Sequence, residues 1–221
     1  MVSSSADMLA GLDRLTPTEI ATALAMRRPP LLDLPEDDSA TTAPRRAAVL
    51  LPLVRVDDGW SLLFIRRARS ERDRHSGQVA YAGGMWEPGD ASLRETALRE
   101  AGEEIGLVPA DATLLGELPP HRSIAGVEIT PVVATMPWPY PLRLQRAEVA
   151  RVFTLPLVWL ADSANFEIVE LHLADGSGRG RSVSYRQRAG ERLWGASARI
   201  TLSLVGCLRS HCGLPPLVPG Q

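Results

Sequence analysis

Four residues in one short stretch carry the most chemistry: Arg99, Glu100, Glu103 and Glu104. On a helix, at about 100° per residue, Glu104 falls roughly 40° to one side of Glu100 and Glu103 roughly 60° to the other. All three carboxylates then share an arc of about 100°. Like charges four residues apart on a helix repel by about a few tenths of a kcal/mol. A divalent ion such as Mg2+ or Mn2+ removes that repulsion, because hard cations take oxygen ligands. Arg99 precedes Glu103 by four residues and is placed to hold it in one orientation. The spacing alone fits an ordinary charged surface helix somewhat better. What favours a metal is the setting of the helix.

That setting is read from the flanking residues. Ser92 and Glu95 form a capping box, Gly106 stands at the C-cap, and Ala97, Leu98, Ala101 and Ile105 give a packable apolar face. The spacing therefore predicts a helix over Ser92–Ile105. A short strand, Val79–Ala82, precedes a Gly83-Gly84 turn, where backbone approaches a metal or phosphate closely. Strands are expected at Ala47–Val56 and Trp60–Arg66, joined by Asp57-Asp58-Gly59, and at Leu114–Leu118 and Ile129–Met136. Leu155–Ala161 reads as a short helix. Phe166–Leu173 and Ser182–Arg186 read as a second hairpin, and Ala196–Leu208 as the last helix. Strands interleaved with a few helices, without regular alternation, imply an α/β fold with a mixed sheet and helices packed on it.

Ahead of this domain, Thr16–Arg28 reads as a helix capped by Thr16 and Glu19, with Pro17 in its first turn. Pro29 to Pro44 reads as a linker. The expected division is 1–44 for the helix and linker, 45–209 for the compact domain, and 210–221 for a tail. Residues 1–40 are expected to be dispensable for catalysis. Their helix has two places to pack, on the domain or across a homodimer.

Composition excludes other classes. The chain has 221 residues, 45% hydrophobic and 23% charged, with 24 Lys+Arg against 26 Asp+Glu and a net charge of −2. Such a balance gives no whole-molecule attraction to nucleic acid or acidic membranes, so neither partner is expected. Any phosphate must be held locally. The densest basic stretch is Arg66, Arg67, Arg69, Arg72 and Arg74, which a solvated loop explains equally well. Two cysteines, Cys207 and Cys212, make no disulfide framework and imply reduced thiols in a cytoplasmic protein. No signal peptide and no apolar run of bilayer length are read.

The run from Gly84 through Leu107 resembles the signature of the Nudix hydrolases, G-x5-E-x7-R-E-U-x-E-E-x-G-U, with U bulky and aliphatic. Gly84 matches the first glycine, and Arg99, Glu100, Glu103, Glu104, Gly106 and Leu107 match the second half. Asp90 stands in place of the first Glu, one extra residue separates it from Arg99, and Ala101 replaces the aliphatic. Within the family, the chain is similar to the coenzyme A pyrophosphatase branch, which carries an Asp, a similar longer spacing and a preceding H-x-G-Q-x-x-F-P-G-G. Here that segment is His75-Ser76-Gly77-Gln78-Val79-Ala80-Tyr81-Ala82-Gly83-Gly84, with Tyr81-Ala82 replacing Phe-Pro. Ile129–Val133, Glu148–Pro156 and Trp194–Ile200 also resemble the branch. The similarity spans roughly residues 45–209.

The resemblance implies an α/β/α sandwich and metal-dependent attack of water on a diphosphate linkage, with Mg2+ or Mn2+ as cofactor and a small-molecule diphosphate as substrate. It implies Glu100, Glu103 and Glu104 as metal ligands, with a Gly83 or Gly84 carbonyl available as another, and Arg99 orienting Glu103. Asp90 suits bracing the loop or capping the helix. Two bases remain open, Glu103 and Glu148. Arg66, Arg72, Arg74, His75 and Gln78 are expected at the substrate. The expected reaction cleaves coenzyme A or its derivatives to 3′,5′-ADP and 4′-phosphopantetheine. ADP-ribose, dinucleotides or nucleoside triphosphates are alternative substrates, and a non-catalytic Nudix-like binding domain is the alternative of another class.

Overall fold

Alternation in the central strand builds two cores. β1 (Arg45–Val56) sends Ala48, Leu50 and Val54 to one face and Leu51 and Leu53 to the other. Both faces are covered, which is why the strand reads as a nearly continuous apolar run. Asp57 and Asp58, at φ 46° and 64°, turn the chain into β2 (Gly59–Arg67), with Val56 opposite Gly59. Paired positive φ values match the twist of a tight hairpin. The computed structural model describes residues 8–26, 45–69, 76–123, 126–172 and 179–218.

Around this hairpin the described residues form an eight-stranded mixed sheet. β3 (Val79–Ala80) pairs with β2, and β4 (Gly83–Met85) with β1. β5 (Thr113–Glu117) and β6 (His121–Arg122) both pair antiparallel with β7 (Val127–Thr135). β7 runs parallel to β1, and β8 (Val149–Pro156) runs antiparallel to β2. β9 (Phe166–His172) and β10 (Arg179–Tyr185) make a separate two-stranded sheet.

Helices cover both faces. Against one face packs the helix Leu93–Ile105, through Ala97, Ala101 and Ile105. On the other lie α1 (Pro17–Ala25), the single turn Leu157–Leu160 and the helix Gly195–His211, through Ile20, Ala23, Leu160, Leu202, Val205 and Leu208. In chain order the later three are α2 (Leu93–Ile105), α3 (Leu157–Leu160) and α4 (Gly195–His211). The result is the expected α/β fold with a mixed sheet. No helix among the described residues is long and apolar enough to cross a membrane.

Several expectations are revised. Gly83-Gly84 is not a turn: it lies in β4, and neither glycine has positive φ. The glycines serve close packing instead, since a Cβ on Gly83 would meet the Ala48 carbonyl oxygen at 2.4 Å and Val49 Cα at 2.6 Å. Leu155 and Pro156 end a strand rather than begin a helix, and helical geometry lasts only from Leu157 to Leu160. β6 and β8 form where no strand is expected. The last helix runs on to His211.

The N-terminal segment is also more tightly bound than its linker suggests. Leu12, Ile20 and Ala23 are wholly buried in the same core as Leu51, Leu62 and Phe64. The Thr16–Glu19 capping box forms as expected. Asp13 accepts a bond from the Trp60 backbone N–H at 2.9 Å, and the Trp60 indole N–H donates to the Leu15 carbonyl at 2.8 Å. Burial of Leu12 and Ile20 contributes about 1.5–3 kcal/mol each. No break in packing separates these residues from the sheet.

Candidate active site

α2 is fixed at both ends by local chemistry. The Ser92 hydroxyl accepts from the Glu95 backbone N–H at 3.3 Å, while Glu95 accepts from the Ala91 N–H at 2.8 Å, one residue further out than in a strict capping box. Gly106 sits at φ 73° and closes the C-terminus, its N–H donating to the Gly102 carbonyl at 3.0 Å. The backbone N–H of Gln145 reaches the Glu104 carbonyl at 2.9 Å, so the 142–149 loop is laid against the end of the helix. That contact brings Glu148 to the site.

Glu100 and Glu104 face β4. A Cβ on Gly84 would lie 2.3 Å from Glu100 Oε1, so only glycine leaves this carboxylate its place. Glu104 is 2% exposed and accepts from the Gly83 backbone N–H at 3.1 Å. Burial pushes its pKa up to about 7, against the pull of the Gly83 N–H and the Arg67 charge; Glu100 and Glu148 raise it further. Glu100 is also raised, first by burial, with Arg99 opposing and Glu103 and Glu148 adding repulsion. Glu100, Glu104 and Glu148 thus feel one another, although Glu148 lies outside the helix.

Arg99 is the hub of the hydrogen bonding. Its guanidinium donates to Asp90 Oδ1 at 2.9 Å and Oδ2 at 3.1 Å, to Glu100 Oε1 at 3.0 Å and to the Met85 carbonyl at 3.1 Å. Its contact with Glu103 is longer, 3.4 Å, and Glu103 is 61% exposed. Arg99 therefore positions Glu100 and the loop more firmly than the expected Glu103. Asp90 also accepts from the Glu87 N–H and from the Thr96 hydroxyl, and Arg99 holds its carboxyl well below the usual range. It braces the loop before the helix.

The expected substrate residues are placed unevenly. Gln78 is half-buried, and its carbonyl accepts from the Arg67 N–H at 2.9 Å. Arg66 is turned to the other face of the sheet, where it donates to Glu191 at 2.8 Å. Arg151 pairs with the same carboxylate, which is 1% exposed. Arg72, Arg74 and His75 lie outside the described residues. Sequence reasoning missed Glu191, whose partners are distant in sequence, and the charge of Arg67 acting on Glu104. Tyr81, the departure from Phe, points into the core away from the carboxylates, its hydroxyl 2.6 Å from that of Thr201.

Among the described residues no group of three or more His, Cys, Asp or Glu side chains stands already converged as a metal centre. The donors nevertheless fit a hard divalent ion. Mg2+ keeps several waters and binds through one or two carboxylates together with substrate phosphates. Glu100 and Glu104 supply such a pair: burial first, and repulsion from neighbouring carboxylates in addition, raises both, and a cation beside them would favour their charged forms.

The NUDIX domain profile matches residues 44–170. Over 170 residues, 77% of the chain, it is 35% identical to the uncharacterized Nudix hydrolase NudL of Escherichia coli (strain SMS-3-5 / SECEC), covering 86% of that protein. The NudL of Cronobacter sakazakii is 38% identical over 138 residues, 62% of this chain and 71% of that one. A solved Nudix hydrolase from M. smegmatis, RenU, superposes with a TM-score of 0.46 at 21% identity, over 58% of this chain and 81% of that one.

Proposed function

The chain belongs to the Nudix hydrolase family, and on that premise we propose that it cleaves the diphosphate linkage of coenzyme A or its derivatives, with Mg2+ or Mn2+, to 3′,5′-ADP and 4′-phosphopantetheine. The observation that carries the diphosphatase reading is the meeting of Glu100 and Glu104 over two glycines, within reach of the Glu148 charge. In this reading Glu100 and Glu104 hold the metal, Glu103 joins them from the rim, and a Gly84 carbonyl is a further oxygen. The chemistry a divalent ion would supply when held there is neutralisation of the diphosphate and polarisation of its P–O bonds.

The remaining work falls to side chains. Arg99 holds Glu100 in one orientation while tied to Asp90. The Gly83 N–H does the same for Glu104. Glu148 takes a proton from water as the water oxygen bonds to phosphorus and the bridging P–O bond breaks; Glu103 is the second candidate for that base. Arg72, Arg74, His75 and Gln78 are assigned to the substrate. Arg66, held by Glu191, enters as the root of the basic segment rather than as a phosphate ligand.

The test is a product assay with Mg2+ over coenzyme A, 3′-dephospho-coenzyme A, ADP-ribose, dinucleotides and nucleoside triphosphates. Coenzyme A is expected to have the highest kcat/KM. A higher value for any of the last three overturns the substrate, and no turnover of any overturns catalysis.

A further inference from the structure

Trp86 is an exposed aromatic ring beside the carboxylates that bracing of the loop does not fully employ. Its backbone N–H donates to the Arg46 carbonyl at 2.9 Å, continuing the β4–β1 ladder by one residue. Gly84 and Trp86 therefore fall on the same side of the strand, about 7 Å apart along it. Gly84 stands against Glu100. The indole is thus within one nucleoside's length of the proposed metal ligands.

The ring is held in place. Its N–H donates to the Asp90 carbonyl at 3.1 Å, and Asp90 is itself fixed by Arg99, which also binds the Met85 carbonyl. The Arg46 guanidinium carbon lies 5.6 Å from the ring centroid. Even so, Trp86 remains 36% exposed. Leaving a Trp ring this exposed forgoes burial that the core would reward. A rigid indole with an arginine at its side suits a flat aromatic ligand attached to phosphate: the ring stacks the base, and the guanidinium attracts the anion.

We propose that Trp86, supported by Arg46, is the stacking platform for the aromatic base of the nucleoside phosphate half of the substrate. The proposal rests on the diphosphatase reading and adds a residue that selects the base.

Binding to the full chain in Mg2+ tests it with two small probes, AMP and ribose 5-phosphate, measured by calorimetry. They share sugar and phosphate and differ in the base. Wild type is expected to prefer AMP by about tenfold, the scale of one base stacked on one aromatic side chain. Trp86→Phe should keep most of that preference, and Trp86→Leu should reduce it to about one. Both variants lose the indole bond to Asp90, so the difference between them reports the ring face alone. A wild type without preference, a preference that survives Trp86→Leu, or equal loss in Phe and Leu overturns the platform. Turnover of the diphosphate panel is followed in parallel. Base-selective binding that obeys this pattern without any turnover would sustain the platform and overturn only the diphosphatase reading.

Discussion

Gly84 and Glu100 occupy one space: a methyl group on the glycine would fall 2.3 Å from Glu100 Oε1 and 2.5 Å from its Cδ. Gly83, next door, is closed off by backbone instead, with the Ala48 oxygen at 2.4 Å. The two glycines therefore answer differently to the same substitution. In Gly84→Ala the flexible end of Glu100 gives way, so the melting temperature should change little while turnover falls by about 100-fold or more, as for a displaced charge in a preorganised site. In Gly83→Ala the strand must move, at a cost of about 1–3 kcal/mol. Thermal unfolding and turnover measured on both variants check the contrast. A Gly84→Ala enzyme with full activity would separate Glu100 from the chemistry.

Glu104→Gln is expected to lower turnover by at least about 100-fold with the fold retained. Glu and Gln have similar helix propensity, and the amide still accepts from the Gly83 N–H. Circular dichroism should superimpose on wild type. Unchanged turnover would remove Glu104 from the proposed metal ligands.

Leu12→Ala and Ile20→Ala should each destabilise the protein by about 2–5 kcal/mol, since both side chains are wholly buried. Denaturant unfolding reads this directly. Of the two packing places expected for the N-terminal helix, on the domain or across a homodimer, the structure shows the first. The helix itself was legible: Thr16, Pro17 and Glu19 act within one turn, and its apolar Ile20 and Ala23 are the residues that become buried. The same division runs through the site. Arg99, Glu100, Glu104, the cap at Ser92 and the stop at Gly106 are local and could be read from spacing. The Arg66–Glu191 pair joins residues 125 positions apart, and no local signal announces it. β4 was misread because a Gly-Gly pair signals a turn by propensity, whereas here it permits β1 and Glu100 to approach.

His121 and Asp90 should each give up stability to acid, one below the other in pH. Burial, with the charge of Arg199 adding, lowers the pKa of His121 from 6.5 to about 4. Between those values the unfolded chain binds the proton and the folded one does not, so stability falls as pH drops from 6.5 to 4. Asp90 acts lower: Arg99 depresses its pKa, so its contribution is present above the usual 3.8 and is lost as pH falls below it. Glu104, raised by burial to about 7, acts in the opposite sense over the same range, so urea unfolding at pH 7, 5.5 and 4.5 should show the His121 step as the difference in slope between wild type and His121→Gln, the variant losing less stability, or gaining more, as pH falls. An equal slope in the variant would assign that step to another group.

The arginines of the basic segment should divide by function. Arg66 is committed to Glu191 on the face away from Glu104, and Arg151 shares that buried carboxylate. Arg66→Ala removes one of two cations from an acid that has no access to water, so it should lower the melting temperature. Its effect on KM should be small and alike for coenzyme A and 3′-dephospho-coenzyme A. Arg72 and Arg74 belong to the stretch that leads into β3, which is paired with β2 beside Arg67. A guanidinium on the 3′-phosphate makes a charge-assisted bond, and its loss should raise KM for coenzyme A by about 10- to 100-fold. The dephospho substrate lacks the group and should be affected much less. Steady-state kinetics of Arg72→Ala and Arg74→Ala on the two substrates, beside Arg66→Ala, decide the matter. If neither Arg72→Ala nor Arg74→Ala separates the substrates, this segment does not recognise the 3′-phosphate, and the choice of coenzyme A loses its physical support while the diphosphate chemistry of Glu100 and Glu104 stands.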